Sequence, residues 1–131
     1  MLTLTIKTSS RIQFVDITSE IKRIIKDNGL TEGLALVYVP HTTAGITINE
    51  AADPSVVSDI NARLSQLIPH QGNYRHAEGN SDAHIKASLL GSSVQVVVED
   101  GKPVLGVWQG IFFCEFDGPR TRKAHVKLIS G

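Results

Sequence analysis

The chain has a single cysteine, Cys114, so no disulfide can form within it, and a fold of 131 residues buries enough surface to need none. It has no excess of either charge, since 13 Lys and Arg balance 13 Asp and Glu. Proteins that dock on nucleic acid normally carry a basic face, so no nucleic-acid partner is expected. No apolar run approaches the ~18 residues that cross a bilayer, which argues against a membrane partner. The opening "MLTLTIKTSSRIQF" alternates polar and apolar residues and lacks the unbroken apolar centre of a signal peptide. With a lone thiol besides, a cytoplasmic location is expected. Repeats, low-complexity tracts and linkers are also missing. What remains is a composition ordinary for one soluble globular domain, 41% apolar and 20% charged, over residues 1–131.

"LTLTIKT" and "RIQFVDI" alternate with period two around Ser9 and Ser10 and predict a pair of strands. From Ile17 the period lengthens. Ile17, Ile21, Ile24 and Ile25 share one helical face, and Gly29 suits a left-handed cap. "GLALVYVP" and "TAGITINE" predict two strands joined through Pro40 and His41. "ADPSVVSDINARLSQLIP" is the clearest helix: Asp53 can cap it, Pro54 fits its first turn, and Val57, Ile60, Leu64 and Leu67 form the expected buried stripe. "HQGNYRHAEGNSD" is a polar link of a length that more often carries function. "DAHIKASLLG" predicts a short helix closed by Gly91, "SVQVVVE" a strand and "DGKP" a turn. "VLGVWQGIFFCEFD" and "RKAHVKLIS" predict two last strands about "GPR". The order β-β-α-β-β-α-α-β-β-β lacks regular β-α-β alternation, so the expected class is α+β with a largely antiparallel sheet.

The densest grouping of metal-binding and proton-moving side chains is "HAEGNSDAH", with His76, Glu78, Asp82 and His84. Neutral imidazoles ligate zinc, and carboxylates complete or orient the shell. The spacing is not H-E-x-x-H, however, and no C-x-x-C pair accompanies it. The alternative is a polar loop in which Ser81 or Asp82 caps the next helix. The N-terminus of that helix, with Lys86 in its second turn, suits a phosphate, as every helix N-terminus does.

On "HTTAGITINE" a regular strand sends His41, Thr43, Thr47 and Asn49 to one face and Ile46, Ile48 and Glu50 to the other. The polar face is either a site wall or a solvated surface, and a bulge at Gly45 would change the side of Glu50. In "GVWQGIFFCEFDGPR" the same parity groups Gln109 and Glu115 with Ile111 and Phe113. Trp108, Phe112, Cys114 and Phe116 fall opposite, as core, with Cys114 a small buried hydrophobe. A carboxylate among apolar residues is costly without a partner, so Glu115 is expected to pair with Arg120 or a histidine. Arg120, in a tight turn, is also a fork for phosphate or carboxylate. His70 and His125 are expected at the surface.

The blocks "HTTAGITINEAADPSVVSDI", "GNYRHAEGNSDAHIKASLLG" and "GVWQGIFFCEFDGPR", in this order, resemble the YjbQ family of secondary thiamine-phosphate synthase-like proteins. One departure is Val107, where the family usually has threonine before Trp-Gln. The resemblance implies a homotrimer with the polar residues of the three blocks near subunit interfaces. It also implies a weak or secondary ability to join a hydroxymethylpyrimidine diphosphate to a thiazole phosphate with release of pyrophosphate. Carried over by motif, His41, Asn49, Glu50, Asp82, Gln109 and Glu115 are catalytic candidates, and Thr43, Lys86 and Arg120 hold substrate or phosphate. His41, His76 and His84 are the expected ligands of a divalent metal, zinc or magnesium, and the partner is a small phosphorylated metabolite. A metal-dependent phosphate-ester hydrolase and a non-catalytic binding protein for such a metabolite or a metal ion are the alternatives.

Overall fold

The computed structural model describes all 131 residues. The elements follow as β1 (Leu2–Lys7), β2 (Gln13–Asp16), α1 (Thr18–Asp27), β3 (Gly33–Tyr38), β4 (Ala44–Glu50), α2 (Pro54–Leu67), α3 (Ser81–Leu90), β5 (Ser93–Glu99), β6 (Lys102–Pro103), β7 (Gln109–Glu115) and β8 (Thr121–Ser130). The strands make two antiparallel sheets, one ordered β1-β8-β3-β5-β6 and the other β2-β7-β4. The class is the α+β expected.

β1 and β2 do not pair with each other as expected. β1 lies beside β8 in the larger sheet and β2 beside β7 in the smaller. β3 and β4, and then β7 and β8, are likewise split between the sheets. Each connector therefore crosses from one layer to the other, and only β5 and β6, joined by a tight turn, are neighbours in both chain and sheet.

The apolar faces of the two sheets meet in the main core, where Val37, Val96 and Val126 face Ile46, Ile111 and Phe113. Ile21 and Ile25 of α1 enter the same core. β7 is buried on both faces, which is why its sequence runs apolar without alternation. Its second face, Phe112 and Cys114, joins Phe116 under Ala83 and Ala87 of α3. The small alanines let that helix lie close. The side chain of Asp53 accepts the Ser55 amide at 3.0 Å and caps α2.

Two expectations about burial fail. No residue of α2 is fully buried, and Leu67 is 70% exposed, because only Val57 and Leu64 reach the apolar cluster. Trp108 is also exposed, since β7 begins one residue later and strand parity does not extend to it. Gly45 makes no bulge, because the β4–β7 register runs unbroken from Ala44 opposite Glu115 to Glu50 opposite Gln109. The glycine admits α3 instead: a Cβ there would sit 2.8 Å from the Gly91 carbonyl oxygen, which accepts the Ile46 amide at 3.0 Å. No helix is long and apolar enough to cross a membrane.

Candidate functional site

After β3 the chain crosses to the smaller sheet through residues 39–43, which carry His41. On the facing helix, Ala83, Lys86 and Ala87 are buried, which leaves His84 and Ser88, one turn apart, on the open side. His41, Thr42, His84, Ser88 and Ser92 line a cleft of about 380 Å³, together with Ala44, Ala87 and Gly91. No acidic side chain lines it. His76 stands on the far side of His84, with ring centroids 5.4 Å apart, edge to face, and Glu78 is 3.7 Å from Nε2 of His76. Cleft and loop thus share His84.

The ring of His41 is anchored from behind. The Lys123 amide donates to its Nε2 at 2.9 Å. Burial, and then the nearby Arg122 guanidinium, hold its pKa below the ordinary imidazole value. A backbone amide can donate only to a bare nitrogen, so the Nε2 that accepts it carries no proton of its own.

Arg122, missed in the sequence reading, is the partner of Glu115 in place of Arg120 or a histidine. Both residues are buried, and Arg122 Nε lies 2.9 and 3.1 Å from the two carboxylate oxygens. Arg122 Nη2 also bonds Glu115 and reaches Thr43 Oγ1 at 2.8 Å. Thr8 Oγ1 and the Asp117 amide complete the carboxylate's shell. Burial alone would raise the Glu115 pKa, but these hydrogen bonds outweigh it and leave the carboxyl below its usual value. A signal for the pair was present: strand parity puts Arg122 with inward-facing Ala124 and Val126, and Glu115 with Ile111 and Phe113.

Asp82 and Lys86 face inward. Asp82 receives Arg11 through two nitrogens at 3.0 and 3.2 Å, and Lys86 Nζ lies 3.8 Å from it. The amine is also 3.4 Å from Ser65 Oγ and 5.9 Å from the centre of the Phe116 ring. Burial pushes the Lys86 pKa down. In the single chain, therefore, Lys86 meets Asp82 and not the cleft. Arg120 is exposed and bonded to Asp117, whose carboxylate also receives Asn80. His70 is exposed as expected and bonds the Gly79 carbonyl, whereas His125 is half-buried and stacks on Tyr38.

The remaining candidates lie elsewhere. Glu50 is opposite Gln109 at the far end of β4, six residues and roughly 20 Å from the end that carries Glu115. Glu50 accepts the Ala52 amide there, and Gln109 accepts the Gly106 amide. One chain therefore holds two polar groupings: His41, Thr43, His76, His84 and Glu115 at one end, and Asn49, Glu50 and Gln109 at the other. No three His, Cys, Asp or Glu side chains converge closely enough to hold a metal ion. The larger cleft between Lys22, Lys26 and Lys102, about 570 Å³, contains no histidine and lies by the end of β3 remote from His41.

A two-sheet antiparallel domain with a histidine- and hydroxyl-lined cleft at one edge is the class defined by this geometry. The family model described as "UPF0047 protein YjbQ-like" matches residues 2–131, and the chain belongs to that family. It is 60% identical to a UPF0047 protein of Methanocaldococcus jannaschii, covering 95% of this chain and 90% of that protein. It is 52% identical to UPF0047 protein YugU of Bacillus subtilis, covering 97% of both. Among solved structures, an uncharacterized YjbQ/UPF0047 protein of Clostridium acetobutylicum superposes with a TM-score of 0.97 at 55% identity, covering 98% of this chain and all of the other. A YbjQ-like protein of unknown function from Sulfolobus solfataricus gives 0.94 at 31% identity, covering 98% and 95%.

Proposed function

We propose that the protein is a secondary thiamine-phosphate synthase, a transferase acting on small phosphorylated metabolites in the cytoplasm, with its site shared between copies of a homotrimer. The observation that supports this best is the chemistry of the His41–His84 cleft. Its walls offer imidazoles and hydroxyls and no carboxylate, a lining suited to phosphoryl oxygens.

In the reaction, the thiazole nitrogen gives its lone pair to the methylene carbon of the pyrimidine. The carbon–oxygen bond to the diphosphate breaks, and its electron pair leaves with pyrophosphate. The protein has to position both rings and stabilise the charge on the leaving group. Thr42, Ser88 and the two histidines act on that group. Glu115 and Arg122 hold Thr43 and the His41 segment in place. Asn49, Glu50 and Gln109 of one copy meet the cleft of another, since a single chain holds them roughly 20 Å away.

For a divalent ion, zinc or magnesium, the chain supplies two adjacent imidazoles, His76 and His84. A complete centre is not formed by one chain's residues, so further ligands would have to come from a second copy. Once bound, such an ion would neutralise charge on the leaving pyrophosphate.

The test is to supply the pyrimidine diphosphate with the thiazole phosphate and follow thiamine phosphate and pyrophosphate together. Equal formation of both supports the reading. Hydrolysis of phosphate esters without the thiazole would favour the hydrolase, and tight pyrophosphate binding without turnover would favour the binding protein.

A further inference from the structure

The sequence places His41 among the metal ligands, and its surroundings argue for another task. We propose that His41 is a neutral hydrogen-bond donor, presenting Nδ1–H to a phosphoryl oxygen in the cleft, and that it does not bind metal. This inference rests on the reading of the cleft as the substrate site.

The first observation is the hydrogen bond behind the ring. A backbone amide can only donate, so the Nε2 that faces Lys123 N at 2.9 Å carries a lone pair and no proton. A neutral imidazole keeps one proton, which must then be on Nδ1. The doubly protonated ring is disfavoured, because it would set an N–H against the Lys123 N–H.

A metal ligand needs a bare nitrogen. The bare nitrogen of His41 is occupied by strand β8. Ligation through Nδ1 would first move its proton to Nε2 and break the same bond. The segment cannot easily swing away to relieve this. Val39 N bonds the Ser92 carbonyl at 2.7 Å on one side, and Arg122 holds Thr43 Oγ1 at 2.8 Å on the other.

The second observation is what remains. Lys123 is the only hydrogen-bond partner His41 has in the chain, so Nδ1–H is unpaired, on a ring that lines a cleft with Thr42, Ser88 and Ser92 and no acid. A fixed donor beside hydroxyls selects an oxygen anion such as a diphosphate end. His84, without such an anchor, keeps both nitrogens available and is the ring that can join His76 at a metal.

The experiment uses the whole protein labelled with 15N-histidine, with inorganic pyrophosphate as the probe. Two-bond proton–nitrogen correlations distinguish a protonated ring nitrogen from a bare one, and His41 is expected to be protonated at Nδ1 and bare at Nε2. Pyrophosphate should shift Nδ1, and added zinc should shift His84 but not His41. In His41→Asn the amide reaches the place of Nδ1, and in His41→Gln the place of Nε2. Binding should survive in the first within about threefold and fall roughly tenfold or more in the second, the loss of one charge-assisted hydrogen bond. An Nε2–H tautomer, a zinc shift on His41, or equal loss in both variants overturns the assignment. The expected tautomer in a wild-type protein that binds no pyrophosphate overturns the reading of the cleft instead, so the two failures are distinguishable.

Discussion

Arg122 on β8 and Glu115 on β7 meet across the interface between the two sheets, with the guanidinium Nε 2.9 and 3.1 Å from the two carboxylate oxygens. The pair is a polar bolt through an apolar sandwich. Removing one partner leaves the other charge buried, which costs about 3–5 kcal/mol. Glu115→Gln and Arg122→Met should each lower stability by that order in urea unfolding. Replacing both by apolar residues should recover most of the loss. Single variants within about 1 kcal/mol of wild type would show that the pair is solvated.

The same site makes stability depend on pH in two steps. The folded pKa of His41 lies below 6.5, so the unfolded chain binds the proton more readily and stability falls as pH drops below that value. The folded pKa of Glu115 lies below 4.5, so its contribution is full above that value and is lost as pH falls through the folded pKa. Melting temperatures scanned across the acid range should show both declines. His41→Asn should remove the upper one only, and a profile unchanged by that variant would discount the histidine.

Gly45→Ala would drive a methyl group into the Gly91 carbonyl, with backbone on both sides and little room to give. The end of α3 should be pushed off β4, at a cost of roughly 1–3 kcal/mol. His84 would shift relative to His41, and pyrophosphate titration should report weaker binding. Gly29→Ala is the control. Its φ of +67° strains any other residue, but it lies far from the cleft and should destabilise by about 1 kcal/mol without touching binding.

If the two polar groupings work together between copies, His84→Ala and Glu50→Ala should each abolish turnover alone. Co-refolded mixtures should regain a fraction of it, since some interfaces then pair two intact halves. Mixed assemblies that sediment like wild type yet stay inactive would argue against a shared site.

Metal content should separate the histidines. Zinc or magnesium carried by purified wild type should fall in His84→Ala and persist in His41→Asn. Absence of any ion from wild type after loading would remove the metal from the proposal.

Local features were legible in the sequence because their causes are local. Asp53 and Pro54 announce the start of α2, and the spacing of Ile17, Ile21 and Ile25 announces the buried face of α1. Sheet membership was not legible, because period two says which way a side chain faces and nothing about which strand lies beside it. β1 and β2 read as a pair, although the chain between them crosses layers. The three blocks that looked like one site divide for a related reason: His41 and Glu50 are close in sequence, but an extended strand carries them apart. The stripe on α2 was read as buried because an amphipathic helix implies a cover, which one chain supplies only at Val57 and Leu64. Asp82 read as a site residue, but its partner Arg11 lies 71 positions away, beyond any local pattern.

Cys114 is fully buried beneath α3, and burial pushes its thiol far above the usual range. A thiol in that state is inert to alkylating reagents until the layers part. As the only one in the chain, it acts as a clock for such opening: under native conditions its labelling rate counts how often α3 lifts from the smaller sheet. Slower labelling on adding pyrophosphate would report that a filled cleft keeps the helix seated.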